Sequence, residues 1–289
     1  GEGEGEGQIG GPTETFTLPG EIELTMVGIP AGTFDMGNIY GSDTVKPVHE
    51  VTISRDYQMG QTEVTKAQWF AIMGEAPWEN NIDVLDDPNS PAVGISWNDV
   101  QTFIRKLNEH SGETFRLPTE AEWEYACRGG STTIHSFEET PEKLEGYAWW
   151  RRNTIEVGEE YAHVVGLFAP NDYGLYDMLG NVREMCSDEY DSEYYAVSPN
   201  IDPPGGDNTF YRSVRGGNWG LRSYGSGIHG RSRIYVNDAV NAGFRLARTT
   251  TVPDGLPRVA VELPEVNLAE GVPSATVVVR NIGFETLSW

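Results

Sequence analysis

The chain has 289 residues, 38% hydrophobic and 11% aromatic, enough apolar material for one large folded domain or two modest ones. Its formal net charge is −24 and its only lysines are Lys46, Lys66, Lys106 and Lys143, which argues against nucleic acid as a partner because phosphate contacts need basic side chains. No run of about 18 apolar residues occurs, so no segment is suited to span a membrane as a helix.

In chain order, the first stretch alternates glycine with glutamate ("GEGEGEGQIGGPTE") and reads as a self-repelling linker over residues 1–20. A dense unit is expected over residues 21–249. Its first helix is predicted after Thr62 in "TEVTKAQWFAIMG", stopping at Gly74. A second starts at Ser96, where Asp99 completes a capping box and Val100, Phe103, Ile104 and Leu107 share a face. A third is predicted in "LPTEAEWEYACRGG", with Thr119 and Glu122 as the box and Gly129 as the stop. After residue 130 the sequence is rich in Gly, Asn, Asp, Pro and aromatics, which predicts irregular loops pinned by large side chains. Fold class is therefore α+β, loop-rich, with few helices. Residues 250–289 read as a Thr/Pro/Gly hinge followed by the opening strands of a β-sandwich-like domain, starting near residue 258.

Five spaced blocks carry a family resemblance: "IPAGTFDMG", "PVHEVTISRDYQMGQTEVTKAQW", "PAVGISWNDVQTFIRKLNEHSGETFRLPTEAEWEYACRGG", "PNDYGLYDMLGNVREMCSDEY" and "RSVRGGNW" with "NAGFRLAR". Together they resemble the formylglycine-generating-enzyme (sulfatase-modifying factor) family over residues 22–248. The resemblance implies a C-type lectin-like fold. The family includes copper-dependent oxidases acting on a protein cysteine, iron-dependent sulfoxide synthases and non-enzymatic surface proteins. Some of the last are variable proteins of diversity-generating retroelements.

The oxidases of the family hold copper(I) through two thiolates after the Gly-Gly pair, soft ligands for a soft ion. Counted from Gly216 and Gly217, those places fall at about Leu221 and Ser226, neither a thiolate. No copper is therefore expected, and no catalytic residue is assigned. The cysteines, Cys127 and Cys186, read as packing residues or as the two halves of one disulfide. The five histidines, His49, His110, His135, His163 and His229, have no ligand spacing and read as surface or capping residues, and the pair Asp188 and Asp191 as loop solvation.

The block "LYDMLGNVRE" is different. The resemblance implies a structural calcium ion held by Asp177, the carbonyls of Gly180 and Val182, and Glu184. Hard calcium suits such a set of side-chain and main-chain oxygens; in the alternative, Asp177 and Glu184 cap turns. Arg183 and Met185 stand where tryptophans are usual in this block.

The segment 218–242 is rich in Tyr, Ser, Gly, Asn, Arg and His, the composition of adaptable binding surfaces. It occupies the place of the variable segment in retroelement-diversified lectin folds. Trp219, Arg222, Tyr224, His229, Arg231, Arg233 and Tyr235 are the candidate ligand-binding residues, with plain packing as the competing reading. The expectation is a non-enzymatic recognition or display domain of a larger secreted or cell-surface protein, binding a protein or glycan. The alternative is a formylglycine-generating-type oxidase; a purely structural scaffold repeat is a third reading.

Overall fold

The computed structural model describes residues 11–78, 85–131, 144–207, 210–221, 228 and 230–249, with the strand segments 259–262 and 278–281. Contacts divide the chain into two units, Gly1–Thr249 and Thr250–Trp289. In the second, β12 (Val259–Glu262) and β13 (Val278–Asn281) pair antiparallel, Val259 opposite Asn281.

The first unit is organised by two sheets. One has the order β1 (Thr13–Leu18), β2 (Ile22–Ile29), β5 (Tyr57–Gly60), β11 (Ala247–Thr249), β6 (Phe115–Arg116), so strands from both ends of the unit lie in it. A ribbon of β3 (Gly32–Met36) and β4 (His49–Ile53) accompanies it. The other sheet has the order β10 (Ala242–Gly243), β7 (Arg183–Glu189), β8 (Tyr211–Arg215), β9 (Arg231–Tyr235). β9 lies at its edge. The architecture is α+β, largely strands and loops.

The helices form where their caps are written. α1 (Lys66–Met73) begins at Thr65 rather than Thr62, because Thr65 and Gln68 exchange the two capping hydrogen bonds. α2 (Trp97–Ser111) uses Ser96 and Asp99 and buries Val100, Phe103, Ile104 and Leu107, the predicted face. α3 (Glu120–Arg128) uses Thr119 and Glu122 and stops at Gly129 in the left-handed region, φ 55°. Almost every α3 side chain is buried, charged ones included, so this helix is an internal strut between the sheets.

One core packs α2 against β2, β8 and Trp69, which stacks on Phe103 at 5.3 Å. The second gathers Trp123, Tyr125, Cys127 and Cys186 with Val27, Val51 and Met59. Both cysteines are free and fully buried, in α3 and β7.

Candidate functional site

Tyr211, Ser213 and Arg215 on β8 lie opposite Tyr235, Arg233 and Arg231 on β9. Alternation puts these six on one face of the ribbon. At the inner end Arg215 is wholly buried, ion-paired with Glu124 and with Glu120 at 3.4 Å. Arg231 donates to both Glu120 oxygens, at 2.6 and 3.0 Å, and to the carbonyls of Thr44 and Asp191. Arg128 completes the cluster by binding Glu124 at 2.6 Å and the Gly37 carbonyl at 3.0 Å. Burial pushes the Glu124 carboxyl up, but Arg215 and Arg128 outweigh it and the net shift is downward.

Arg231 is therefore not a contact residue: its side chain is 1% exposed and serves as the floor of the ribbon. Arg233 and Tyr235 are turned outward. The Arg233 guanidinium lies over Tyr211 (4.4 Å) and Tyr190 (5.5 Å), and the Tyr211 and Tyr235 hydroxyls share a hydrogen bond of 2.8 Å.

Trp219 sits past the other end of the ribbon. It is half-buried against Val93, Ala162 and Val182. Its N–H donates to the Asn181 carbonyl (2.9 Å) and its own carbonyl accepts from Thr154 Oγ1 (2.6 Å). It wedges the loop onto "GNVRE". Trp219 thus packs in a cluster of its own, while Arg231, Arg233 and Tyr235 share the β8–β9 ribbon. Arg222, Tyr224 and His229 lie outside the described residues, as do Ser226 and His135.

The predicted calcium block divides as well. Asp177 is buried, with backbone φ 60°; its Oδ2 accepts from the Gly166 N–H (2.7 Å) and its Oδ1 has no partner. Burial foremost, with the charge of Glu184, pushes its carboxyl up to about 6. Glu184 is committed elsewhere. Its Oε1 accepts from Arg245 Nη2 and its Oε2 from Arg245 Nε, both at 2.6 Å, and Trp123 Nε1 donates to it at 2.7 Å. The side chain with oxygens to spare is Glu63, fully buried with neither oxygen bonded. Burial, then Asp177, pushes its carboxyl well above the usual range. Backbone bonds bring the two acids together: Tyr176 N–H to the Gln61 carbonyl (2.9 Å) and Val64 N–H to the Phe244 carbonyl (2.8 Å) flank them, and Arg245 reaches Gly60 and Tyr176.

Three unbonded buried carboxyl oxygens fit a hard cation, since burying a charged oxygen without a partner costs several kcal/mol. Among the described residues no three acidic, histidine or cysteine side chains converge as a metal cage. Nothing in "TEVTK", which reads as the approach to a helix, marks Glu63 as a buried acid.

His110 is exposed, as the surface reading expects, and His49 and Asp191 are half-buried, but two of the remaining residues are buried. His163 is a core residue, stacked on Trp149 at 3.7 Å and bonded to Glu159 at 2.8 Å. Asp188 is buried in β7, where it accepts the Glu120 N–H at 2.8 Å. Burial, then the charge of Glu120, pushes its carboxyl up to about 8.

Comparison with known proteins places this arrangement. Residues 15–250 match the model of the sulfatase-modifying factor enzyme 1-like domain. The chain belongs to this family. A formylglycine-generating enzyme of Streptomyces coelicolor is 31% identical over 252 residues, covering 67% of this chain and 78% of that protein. The Treponema denticola variable protein 1 superposes with a TM-score of 0.73 at 29% identity, covering 82% of this chain and 99% of that one. PvdO from Pseudomonas aeruginosa gives 0.71 at 25% identity, covering 82% and 98%.

Within this sulfatase-modifying factor domain both thiols are core groups, buried in one cluster with Ile228. Burial pushes both Cys127 and Cys186 well above the ordinary thiol range, so neither is a ready thiolate. Of the two places at which family oxidases carry copper thiolates, Leu221 is described; its N–H donates to the Asn218 carbonyl and its carbonyl accepts from Arg151. Met185, in place of a tryptophan, is fully buried, and Arg183 is half-buried, its guanidinium pushed down by burial.

Proposed function

We propose that the domain is a recognition module for a protein or glycan, carried by an exported or cell-surface protein, and that it does not perform the oxidase reaction. One observation carries this reading. The thiols are locked in the two core elements α3 and β7, while the β8–β9 ribbon turns Arg233 and Tyr235 outward over a buried floor of ion pairs. Such a surface offers contact area and directional donors without a nucleophile or redox group. The likeness to the Treponema denticola variable protein 1 supports extending to this chain the idea that residues 218–242 vary between copies.

A structural calcium ion belongs to the same proposal. Asp177 and the carbonyls of Gly180 and Val182 would hold it, with Glu63 as the second carboxylate and Glu184 kept by Arg245. Calcium there would neutralise two buried acids and brace the turn that seats Trp219.

The relatives named formylglycine-generating enzymes keep the oxidase as the second reading. A copper(I) competition titration beside a peptide-oxidation assay separates the two. The recognition reading expects no more copper bound than by the Cys127→Ser/Cys186→Ser variant and no aldehyde in a cysteine peptide. Stoichiometric copper with aldehyde formation overturns it. A glycan and protein array then compares the parent with Trp219→Ala and Tyr235→Ala, either of which is expected to lose the captured ligand.

A further inference from the structure

Two arginines two residues apart on β9 have opposite fates. Arg231 spends its guanidinium on Glu120, Thr44 and Asp191. Arg233 makes no ion pair and no hydrogen bond among the described residues, in a chain of net charge −24. Yet it is held in place: the faces of Tyr211 and Tyr190 lie beneath it at 4.4 and 5.5 Å. Stacking fixes the guanidinium plane and leaves its N–H edge unsatisfied, the arrangement that matches a carboxylate's two oxygens.

We infer that Arg233 is a carboxylate anchor for an extended acidic peptide laid along the β9 edge, an inference that rests on the recognition reading above. Three features select this occupant. β9 is the outermost strand of its sheet, and such an edge offers main-chain groups to an added strand. Tyr235, 47% exposed and on the same face of the ribbon as Arg233, adds the aromatic area common in peptide contacts. The field of the whole chain repels polyanions, so recognition must come from short-range, two-pronged contact with single carboxylates.

The test uses the whole chain with its arginine Nε–H resonances resolved by NMR. The probes are a capped Thr-Glu-Thr-Glu-Thr peptide, its Thr-Gln-Thr-Gln-Thr counterpart and glucuronic acid. The Arg233 resonance is expected to shift saturably with the glutamate peptide alone, while those of buried Arg231 and exposed Arg55 stay put. Arg233→Lys keeps the charge but loses the fork, and is expected to weaken the peptide by about ten- to a hundredfold. An unmoved Arg233, an equal response to the glutamine peptide, or a response to glucuronic acid alone overturns the inference. If Arg233 is unresponsive while Trp219→Ala still abolishes array binding, the anchor fails and the recognition reading stands.

Discussion

Arg215 and Glu124 form an ion pair in which neither side chain exposes any surface. Taking two charges out of water is costly, and such a pair is tolerable only when the remaining donors and acceptors are met. Here Glu120, Arg128 and the Ile228 carbonyl meet most of them.

Removing one partner should therefore hurt far more than removing both. Glu124→Leu strands Arg215 and Arg128 and is expected to cost about 3–5 kcal/mol in urea unfolding. Glu124→Leu combined with Arg215→Met should recover a large part of that loss. Equal destabilisation by the single and double variants would show that packing, not charge, holds α3 to the ribbon.

Calcium should act through Glu63. At a concentration of about 100 times its Kd it is expected to stabilise the parent by about 2.7 kcal/mol. Glu63→Gln removes a buried carboxyl whose ionised form has no partner, so the variant should match or exceed the parent in chelator and gain nothing from calcium. Glu184→Gln should be less stable throughout, because Arg245 loses its counter-ion, while retaining its response. A parent indifferent to calcium in thermal unfolding would remove the ion from the account.

Legibility follows locality. The capping boxes of α2 and α3 and the buried face of α2 are written in contiguous residues and can be read directly, whereas α1 starts at the Thr65 box, three residues after the expected Thr62. The role of Arg231 depends on Glu120, which lies 111 positions away, and nothing in "GRSRIY" distinguishes it from Arg233. Alternation along a strand gives a shared face but not what lies beneath it. Glu63 was invisible for the same reason: its isolation is a property of Asp177, Glu184 and Arg245, which reach it only through the fold. The family blocks locate the turn proposed to hold calcium, yet the partner that occupies Glu184 comes from the last block of the unit.

Stability should fall as pH rises across the neutral range, because Asp188 holds its proton more tightly folded than unfolded. Its carboxyl is pushed up to about 8 in the fold, against about 3.9 in an unfolded chain. The contribution is fully present below about pH 4 and is lost as pH climbs to about 8. Denaturant midpoints measured in chelator from pH 4.5 to 8.5 should decline, and Asp188→Asn should flatten the decline. Glu124, shifted the other way, favours high pH and is common to both proteins, so the difference between them isolates Asp188. Parallel slopes would mean that Asp188 is ionised in the fold.

Gly180 holds the loop by having no side chain. A Cβ there would lie 2.2 Å from the Trp149 carbonyl oxygen and 3.0 Å from the Ala148 Cβ. That same carbonyl accepts the Asn181 N–H at 2.9 Å, and the Asn181 carbonyl in turn accepts the Trp219 N–H. Gly180→Ala must displace the Trp149 backbone and with it the seat of Trp219. The clash is with backbone, which cannot rotate away, so a loss of about 1–3 kcal/mol is expected in thermal unfolding. Hydrogen exchange at the Trp219 amide reports the consequence directly. It should speed up in Gly180→Ala more than the amides of α2, whose packing does not touch this turn. Uniform acceleration across both regions would mean that the substitution weakens the whole unit and that Trp219 has no private anchor.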